Sequence, residues 1–365
     1  VPRRSGRVVP RRATTEGRPS QEPAANVSGA RRAPLRIGEL DVAPGRSATG
    51  ELPIARQVTG TRISLPLQVR HGRRNGHTVW LSAAVHGDEI NGVEIIRRVM
   101  RGLDARTMAG TVIAVPIVNV HGFLNGDRYL PDRRDLNRSF PGSPNGSLAA
   151  RIANLFMTEI VSRCDVGIDL HTGSDHRTNL PQIRADLDDP ETRKLAEAFG
   201  APLMLHSRIR DGSLRGAATE RGATTLLFEG GEALRFDDDA LTAGVEGIRR
   251  VLAELAVIDP DTTEPRPIPV ESRSSSWVRA RRSGIVLLDV ELGEVVQRGQ
   301  LLGVIHDSVG TRLSRVTAPR RGIVIGRVQQ PLVNQGDALV HLAEVSDDVL
   351  STLGRFVSTP GQDLS

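Results

Sequence analysis

The sequence predicts an α/β domain with a largely parallel or mixed sheet, followed by a small all-β module. Between residues 46 and 262, apolar runs of strand length alternate with amphipathic helical stretches. Polar clusters fall where those runs end, the usual place for ligands in such sheets. From 263 to 347 helical periodicity vanishes and glycines recur at 284, 293, 299, 303, 310, 322, 326 and 336. A chain of 365 residues suffices for both domains.

Residues 1–45 carry arginine pairs (Arg3-Arg4, Arg11-Arg12, Arg31-Arg32) with Pro, Gly and Ser and no sustained apolar period, the signature of a disordered tail. The tail also carries the charge: residues 1–46 hold ten arginines and four acids, whereas the whole chain is only +5. The folded part is therefore close to neutral, and the tail's lack of aromatics does not predict a nucleic-acid partner. A transit peptide would also be Arg-rich and poor in acids, but scattered Pro and Gly disfavour the helix it needs. No apolar run approaches the ~18 residues of a membrane span, so no membrane partner is expected. The single cysteine, Cys164, excludes an intramolecular disulfide and a Cys-rich zinc site and fits a reducing, cytoplasmic compartment.

The elements follow in order. Residues 78–85 form an apolar strand, and 89–103 a helix with Ile90, Val93, Ile96 and Met100 on one face. Residues 111–118 form the next strand and 148–161 the next helix; 166–170 and 224–228 are short buried strands, and 239–255 closes the domain as a helix. A linker with Pro265, Pro267 and Pro269 precedes the β-module, and residues 348–365 form a tail. The module echoes itself: Ser283-Gly284-Ile285-Val286 resembles Arg321-Gly322-Ile323-Val324, and Val296-Gln297-Arg298-Gly299 resembles Val333-Asn334-Gln335-Gly336. Two similar halves suggest a barrel-sandwich.

The chemistry starts at Val85-His86-Gly87-Asp88-Glu89, where a strand turns into a helix. His86 and Glu89, with His171 after the strand at 166–170, make the His₂Glu set of catalytic zinc sites, which keeps one position open for water. Satisfied loop histidines are the plain alternative. Arg128 and the run Asp135-Leu136-Asn137-Arg138 add guanidinium forks and an amide suited to carboxylates, although Arg133, Arg134 and Arg138 also read as a solvated run. Phe228-Glu229-Gly230-Gly231-Glu232 brings a carboxylate to another strand end, able to take a proton from an attacking water and return it to an amine. Glu229 is the first choice for that base and Glu232 the reserve.

Taken together, His86-Gly87-Asp88-Glu89, Asp135-Leu136-Asn137-Arg138, Asp169-Leu170-His171 and Phe228-Glu229-Gly230-Gly231 resemble the succinylglutamate desuccinylase/aspartoacylase family, a branch of the zinc carboxypeptidase-like (M14) hydrolases. The resemblance spans roughly residues 50–345. It implies a carboxypeptidase-like mixed-sheet core and one zinc per chain on His86, Glu89 and His171. It further implies Glu229 as general base and acid, Asn137 and Arg138 as binders of a substrate carboxylate, and Arg128 as oxyanion stabiliser, with Arg133 as its substitute. Asp169 would orient a ligand histidine. The chain's only tyrosine is Tyr129, so neither acetylaspartate nor succinylglutamate is implied.

The β-module also looks like biotinyl or lipoyl carriers, which attach their cofactor to a lysine. The only lysine of the chain is Lys194, outside the module, so that role is excluded. A lid, a contact in a homo-oligomer or a shield over the cleft remains. The expected function is zinc-dependent hydrolysis of the amide of a small N-acyl amino acid or related compound. A metallocarboxypeptidase acting on short peptides and a non-catalytic binding protein on a hydrolase scaffold are the alternatives.

Overall fold

Alternating burial begins further toward the N-terminus than the sequence pattern suggests. In the computed structural model, which describes residues 32–174, 176–261 and 268–345, strands β1 (Leu35–Ile37) and β2 (Leu40–Val42) pair antiparallel and bury Ile37 and Val42. Residues 35–42 are thus paired strands, not part of a disordered arm; three-residue strands are too short to register as a period. Residues 1–31 of that arm, the tail beyond 347 and linker residues 262–267 lie outside the described residues.

β3 (Arg46–Arg56) and β4 (Arg62–His71) follow as an antiparallel pair, with Ile63, Leu65, Leu67 and Val69 of β4 buried at strict period two. Strands and helices then alternate: β5 (Arg74–Ala83), α1 (Asn91–Arg101), β6 (Ala109–Val115), α2 (Val120–Asn125), α3 (Leu148–Glu159), β7 (Val166–Gly173), β8 (Arg177–Ala185), α4 (Pro190–Phe199), β9 (Leu203–His206), α5 (Leu214–Glu220), β10 (Thr224–Glu232) and α6 (Asp238–Glu254). Local chemistry sets the helix starts. Ser147 caps α3, Asp189 caps α4 with Pro190 in its first turn, and Asp237 caps α6, each side chain accepting a backbone N–H of the first turn.

β5, β6, β7 and β10 run parallel at the centre of the sheet, while β4 and β8 flank them antiparallel. Helices cover both faces, as a parallel centre requires. On one face α1, α4 and α6 pack Ile95, Val99, Phe199 and Ile248 against Leu81, Ile168 and Leu226. On the other, α3 and α5 pack Ile152, Phe156 and Leu214 against Trp80, Ile113 and Val115. The expected α/β class and mixed sheet are present.

Several elements have no counterpart in the sequence reading. β8 escapes because Pro181 and two arginines interrupt its apolar residues, and α4, β9 and α5 lie in the same unread stretch. The helix expected from 89 begins at Asn91, because the residues before it make the turn that carries the site.

The C-terminal part is all-β: β11 (Val270–Ser272), β12 (Ser275–Arg279), β13 (Gly284–Leu288), β14 (Val295–Val296), β15 (Leu301–His306), β16 (Arg312–Thr317), β17 (Gly322–Val328), β18 (Leu332–Val333) and β19 (Ala338–Ala343). The echoed segments become β13 and β17, followed in each half by a two-residue strand, β14 or β18. β13, β15, β16 and β18 form a separate four-stranded sheet. β17, however, pairs antiparallel with β8, so that β12, β19 and β17 extend the main sheet to 13 strands. The described residues from Ala33 onward belong to one compact unit, with hydrogen bonds crossing the boundary expected near 262.

Candidate active site

The carboxyl ends of β5, β7 and β10 deliver the titratable groups. Just after β5, Ala84 takes φ of +48°, a conformation that costs a non-glycine residue of order 1–3 kcal/mol and that collects at functional sites. The chain turns there, held by Val118 N–H to Ala83 O and Asn119 N–H to Ala84 O, and His86 comes to the cavity. Gly87 is required next: a Cβ would lie 2.1 Å from the backbone of Gly122. Glu89 follows immediately before α1, and His171 is near the end of β7.

His86, Glu89 and His171 are 4%, 2% and 4% exposed, and one donor atom from each lies within 4.8 Å of the others. His86 Nδ1 is 2.7 Å from Glu89 Oε1, and His171 Nδ1 is 2.7 Å from Glu89 Oε2. Each ring's other nitrogen meets a second carboxylate: His171 Nε2 lies 2.8 Å from Asp169 Oδ2, and His86 Nε2 lies 3.2 Å from Asp135 Oδ1. Asp169 is itself held by Ser82 Oγ–H at 2.7 Å. A neutral imidazole has one N–H. Spent on Asp169 or Asp135, it leaves a lone pair at Nδ1 facing Glu89, and a positive charge, a second proton or a metal ion, completes the contact. This donor set fits a divalent metal held by two imidazoles and a carboxylate, each imidazole oriented by a second carboxylate.

The electrostatics run the same way. Burial alone would discharge all three groups. The attraction of Asp169 and Glu89 overcomes it at His171 and raises that imidazole well above its usual value, while both imidazoles hold the Glu89 carboxyl well below the carboxylate range. Burial also opposes ionisation of Asp135, but its hydrogen bond to His86 and the nearby Arg128 bring it to about 2.

A cavity of about 230 Å³ opens on this cluster. β10 pairs with β7 in the register Glu229↔His171, and both residues line the cavity. Glu229 Oε2 accepts from Asn179 Nδ2 at 2.8 Å, and its Oε1 is 3.7 Å from Arg184. Strict alternation along β8 would send Asn179 and Arg184 to opposite faces. A register shift between Glu229 and Gly231 brings both into the cavity wall, a use of irregular pairing common near active sites. Glu232 is outside the wall and faces Arg235 at 3.5 Å.

Arg128 lines the cavity, donating to Glu89 Oε1 at 3.0 Å and lying 3.6 Å from Asp135. Arg133 is exposed and does not line it. Asn137 and Arg138 do, in a short helical turn capped by Asp135. Asn137 Oδ1 accepts from Leu214 N–H at 2.9 Å, which leaves its Nδ2 as the free donor.

Sequence reasoning assigned no partner to His86, although Asp135 was in plain view within a quoted motif. It also missed Ser82, Asn179, Arg184, Arg210, Arg215 and Trp277, none of which has a spacing linking it to His86, Glu89 or His171. Trp277, from β12, brings the C-terminal strands into the wall; it stacks on His341 with ring centroids 4.4 Å apart, and the Arg177 guanidinium lies 5.4 Å from its ring.

Comparison with known proteins agrees with this geometry. Residues 75–255 match the model of the succinylglutamate desuccinylase/aspartoacylase catalytic domain. The chain is 30% identical over 292 residues to an N-alpha-acetyl-L-2,4-diaminobutyric acid deacetylase of Halomonas elongata, a match covering 76% of this chain and 85% of that one. A succinylglutamate desuccinylase/aspartoacylase crystal structure from Rhodobacter sphaeroides superposes with a TM-score of 0.74 at 28% identity, covering 86% of this chain and all of that one. The product-bound ectoine utilization protein EutE (DoeB) of Ruegeria pomeroyi gives 0.75 at 26% identity, covering 87% of this chain and 98% of that one. With its His86-Glu89-His171 cluster at the strand ends and these relatives over most of its length, the chain belongs to the succinylglutamate desuccinylase/aspartoacylase family.

Proposed function

We propose that the protein is a zinc-dependent amidohydrolase that removes the acyl group from a small N-acyl amino acid. One observation carries the reading: three buried donors suited to a divalent metal share a small cavity with an independent carboxylate, Glu229. The family membership and the deacetylase from Halomonas elongata support it.

His86, Glu89 and His171 would hold the zinc, which would supply Lewis acidity and lower the pKa of a water toward neutrality. Glu229 takes the proton of the attacking water and returns it to the departing amine. Arg128 stabilises the negative charge that develops on the acyl oxygen. Asn137 Nδ2 and Arg138 hold the substrate's α-carboxylate. Asp169 and Asp135 orient the two histidines. Asn179 fixes the Glu229 carboxylate, and the C-terminal strands, read as a barrel-sandwich cap, narrow the cleft through Trp277.

The test is a panel of N-acetyl and N-succinyl amino acids against short peptides, run on protein stripped of metal and reloaded. The reading requires about one zinc per chain and amide hydrolysis that disappears on chelation and returns with zinc. Turnover of peptides alone would point to a carboxypeptidase, and zinc binding without any turnover to a binding protein.

A further inference from the structure

The turn that carries His86 and Glu89 is joined to the segment that follows Glu229 by a single side chain. Asn91, the first residue of α1, is 0% exposed. An asparagine near a helix start commonly caps the backbone N–H groups of its own first turn. In α1 no side chain does so, and the Asn91 amide reaches out of the helix instead. Its Nδ2 donates to Gly230 O at 3.3 Å, and its Oδ1 accepts from Asp237 N–H at 3.1 Å, partners 139 and 146 residues away.

These contacts bracket the chain from the end of β10 to the start of α6, where Asp237 is the capping residue. Leu234 N–H adds a third link, to Asp88 O at 2.8 Å. Gly231 takes φ of +73°, and a Cβ there would lie 2.5 Å from Asn91 Nδ2, so the backbone rests directly on the amide. Asn91 is seated as firmly from its own side. A Cβ on the adjoining Gly92 would lie 2.7 Å from the Cβ atoms of Ala83 and Leu170, so the first turn of α1 packs onto β5 and β7 with no slack.

The bridge sits where strand pairing breaks. β10 holds its register on β7 as far as Glu229↔His171 and shifts before Glu232, and on β8 it shifts between Glu229 and Gly231. Just beyond Glu229, then, neither ladder runs on unbroken, and Asn91 takes the carbonyl of the next residue. Asn179 and Arg184 hold the Glu229 carboxylate from β8, whereas Asn91 ties the neighbouring backbone to the turn of metal-ligand candidates.

We infer that Asn91 is a positioning residue for the reaction: by bridging the His86–Glu89 turn and the end of β10, it fixes where Glu229 stands relative to His86, Glu89 and His171. The inference rests on Glu229 being the base of the proposed deacylation. Misplacing a catalytic group by about 1 Å can cost 10²-fold in rate, so a link between two elements that share no other cause to stay in step has a kinetic consequence.

A double-mutant cycle tests it, run on zinc-saturated protein with the N-acyl amino acid hydrolysed fastest in the panel above. Asn91→Ala should lower kcat about 10- to 100-fold with KM within about threefold of wild type. In the Glu229→Gln background the same substitution should change kcat by less than about threefold, since a group that takes no proton loses nothing by being misplaced. Zinc affinity against a chelator should hold, because Glu89 keeps its contacts with His86, His171, Thr172 N–H and Arg128. Amide hydrogen exchange should quicken at Asp237 and stay unchanged at Thr172. Should Asn91→Ala fold poorly, Gly231→Ala displaces the amide without deleting it and should show the same dependence on background. Equal losses of kcat in both backgrounds, or no loss in either, overturn the inference and leave Glu229 as the base. Full activity of Glu229→Gln alone overturns the base assignment, and the inference with it.

Discussion

The two sides of the cavity handle buried charge in opposite ways. On the metal side every ring nitrogen of His86 and His171 faces a carboxylate, and Ser82, Thr172 N–H and Arg128 complete the shell around Asp169 and Glu89. On the arginine side Arg184 and Arg215 keep buried N–H groups without partners. A saturated network holds its members in one geometry, which suits ligands that must not move. An unsaturated one carries a desolvation cost that a further hydrogen-bond acceptor would relieve. The two kinds of surface thus share one small volume, and Glu229 stands between them, on the register of His171 but in reach of Arg184.

The sharpest way to break this division is at Glu229. Glu229→Gln keeps the shape and the contact from Asn179 but cannot take up a proton at neutral pH, so kcat should fall about 10²- to 10⁴-fold with zinc content unchanged. Glu232→Gln should leave kcat near wild type; the opposite pattern would move the base to Glu232.

Arg128 comes next. Arg128→Ala should lower kcat by about 10²- to 10³-fold with a smaller change in KM, whereas Arg133→Ala, exposed and away from the wall, should stay within about twofold. Equal losses in both variants would remove Arg128 from the oxyanion role.

Asp169→Asn weakens the metal side without touching the substrate. It should loosen zinc by about 10- to 100-fold in competition against a chelator, the usual effect of losing a histidine's supporting carboxylate. The KM of the fully zinc-loaded protein should stay within a few-fold of wild type, and a large rise there would mean that the two sides are not separable.

The smallest effect concerns stability at the junction with the C-terminal strands. His341 is buried against Trp277, and burial, reinforced by Arg184, pushes its imidazole down to about 3. The unfolded chain therefore binds this proton between about 6.5 and 3 while the native state does not. Stability from this group is full above pH 6.5 and is lost as the pH falls toward 3. Between pH 7 and 5 the loss is on the order of 2 kcal/mol. Denaturant titrations of His341→Asn should show a shallower acid slope than wild type by that amount; identical slopes would mean that the native state protonates His341 freely.

How much of this was legible in the sequence depends on distance along the chain. His86 and Glu89 are three residues apart at the end of an apolar run, and His171 follows another, so strand-end position and side-chain chemistry suffice to nominate them. The four-motif order carried the family. The α/β class was equally legible, because buried central strands show as apolar runs and helices as a 3.6-residue period. β8 was not, since a strand bearing Pro181, Arg177 and Arg184 has no apolar signature, yet it supplies Asn179 to Glu229 and joins the C-terminal strands to the main sheet.

By itself, then, the sequence determined the class of fold, the metal-ligand candidates and the kinds of group around them, because each depends on contacts within a few residues or on composition. Tertiary structure alone decided three further matters. Strand register and a local irregularity bring Glu229, and not Glu232, to the cavity. Gly326 of β17 lies opposite Asn179, where a Cβ would come within 2.8 Å of the side-chain oxygen, so the C-terminal strands reach the active site instead of standing apart. The arginine wall gathers Arg184 from a strand, Arg210 from a loop and Arg215 from a helix, with Trp277 from the C-terminal strands beside them. No spacing rule relates these residues, because their proximity comes from how the sheet twists and pairs and not from where they fall in the chain.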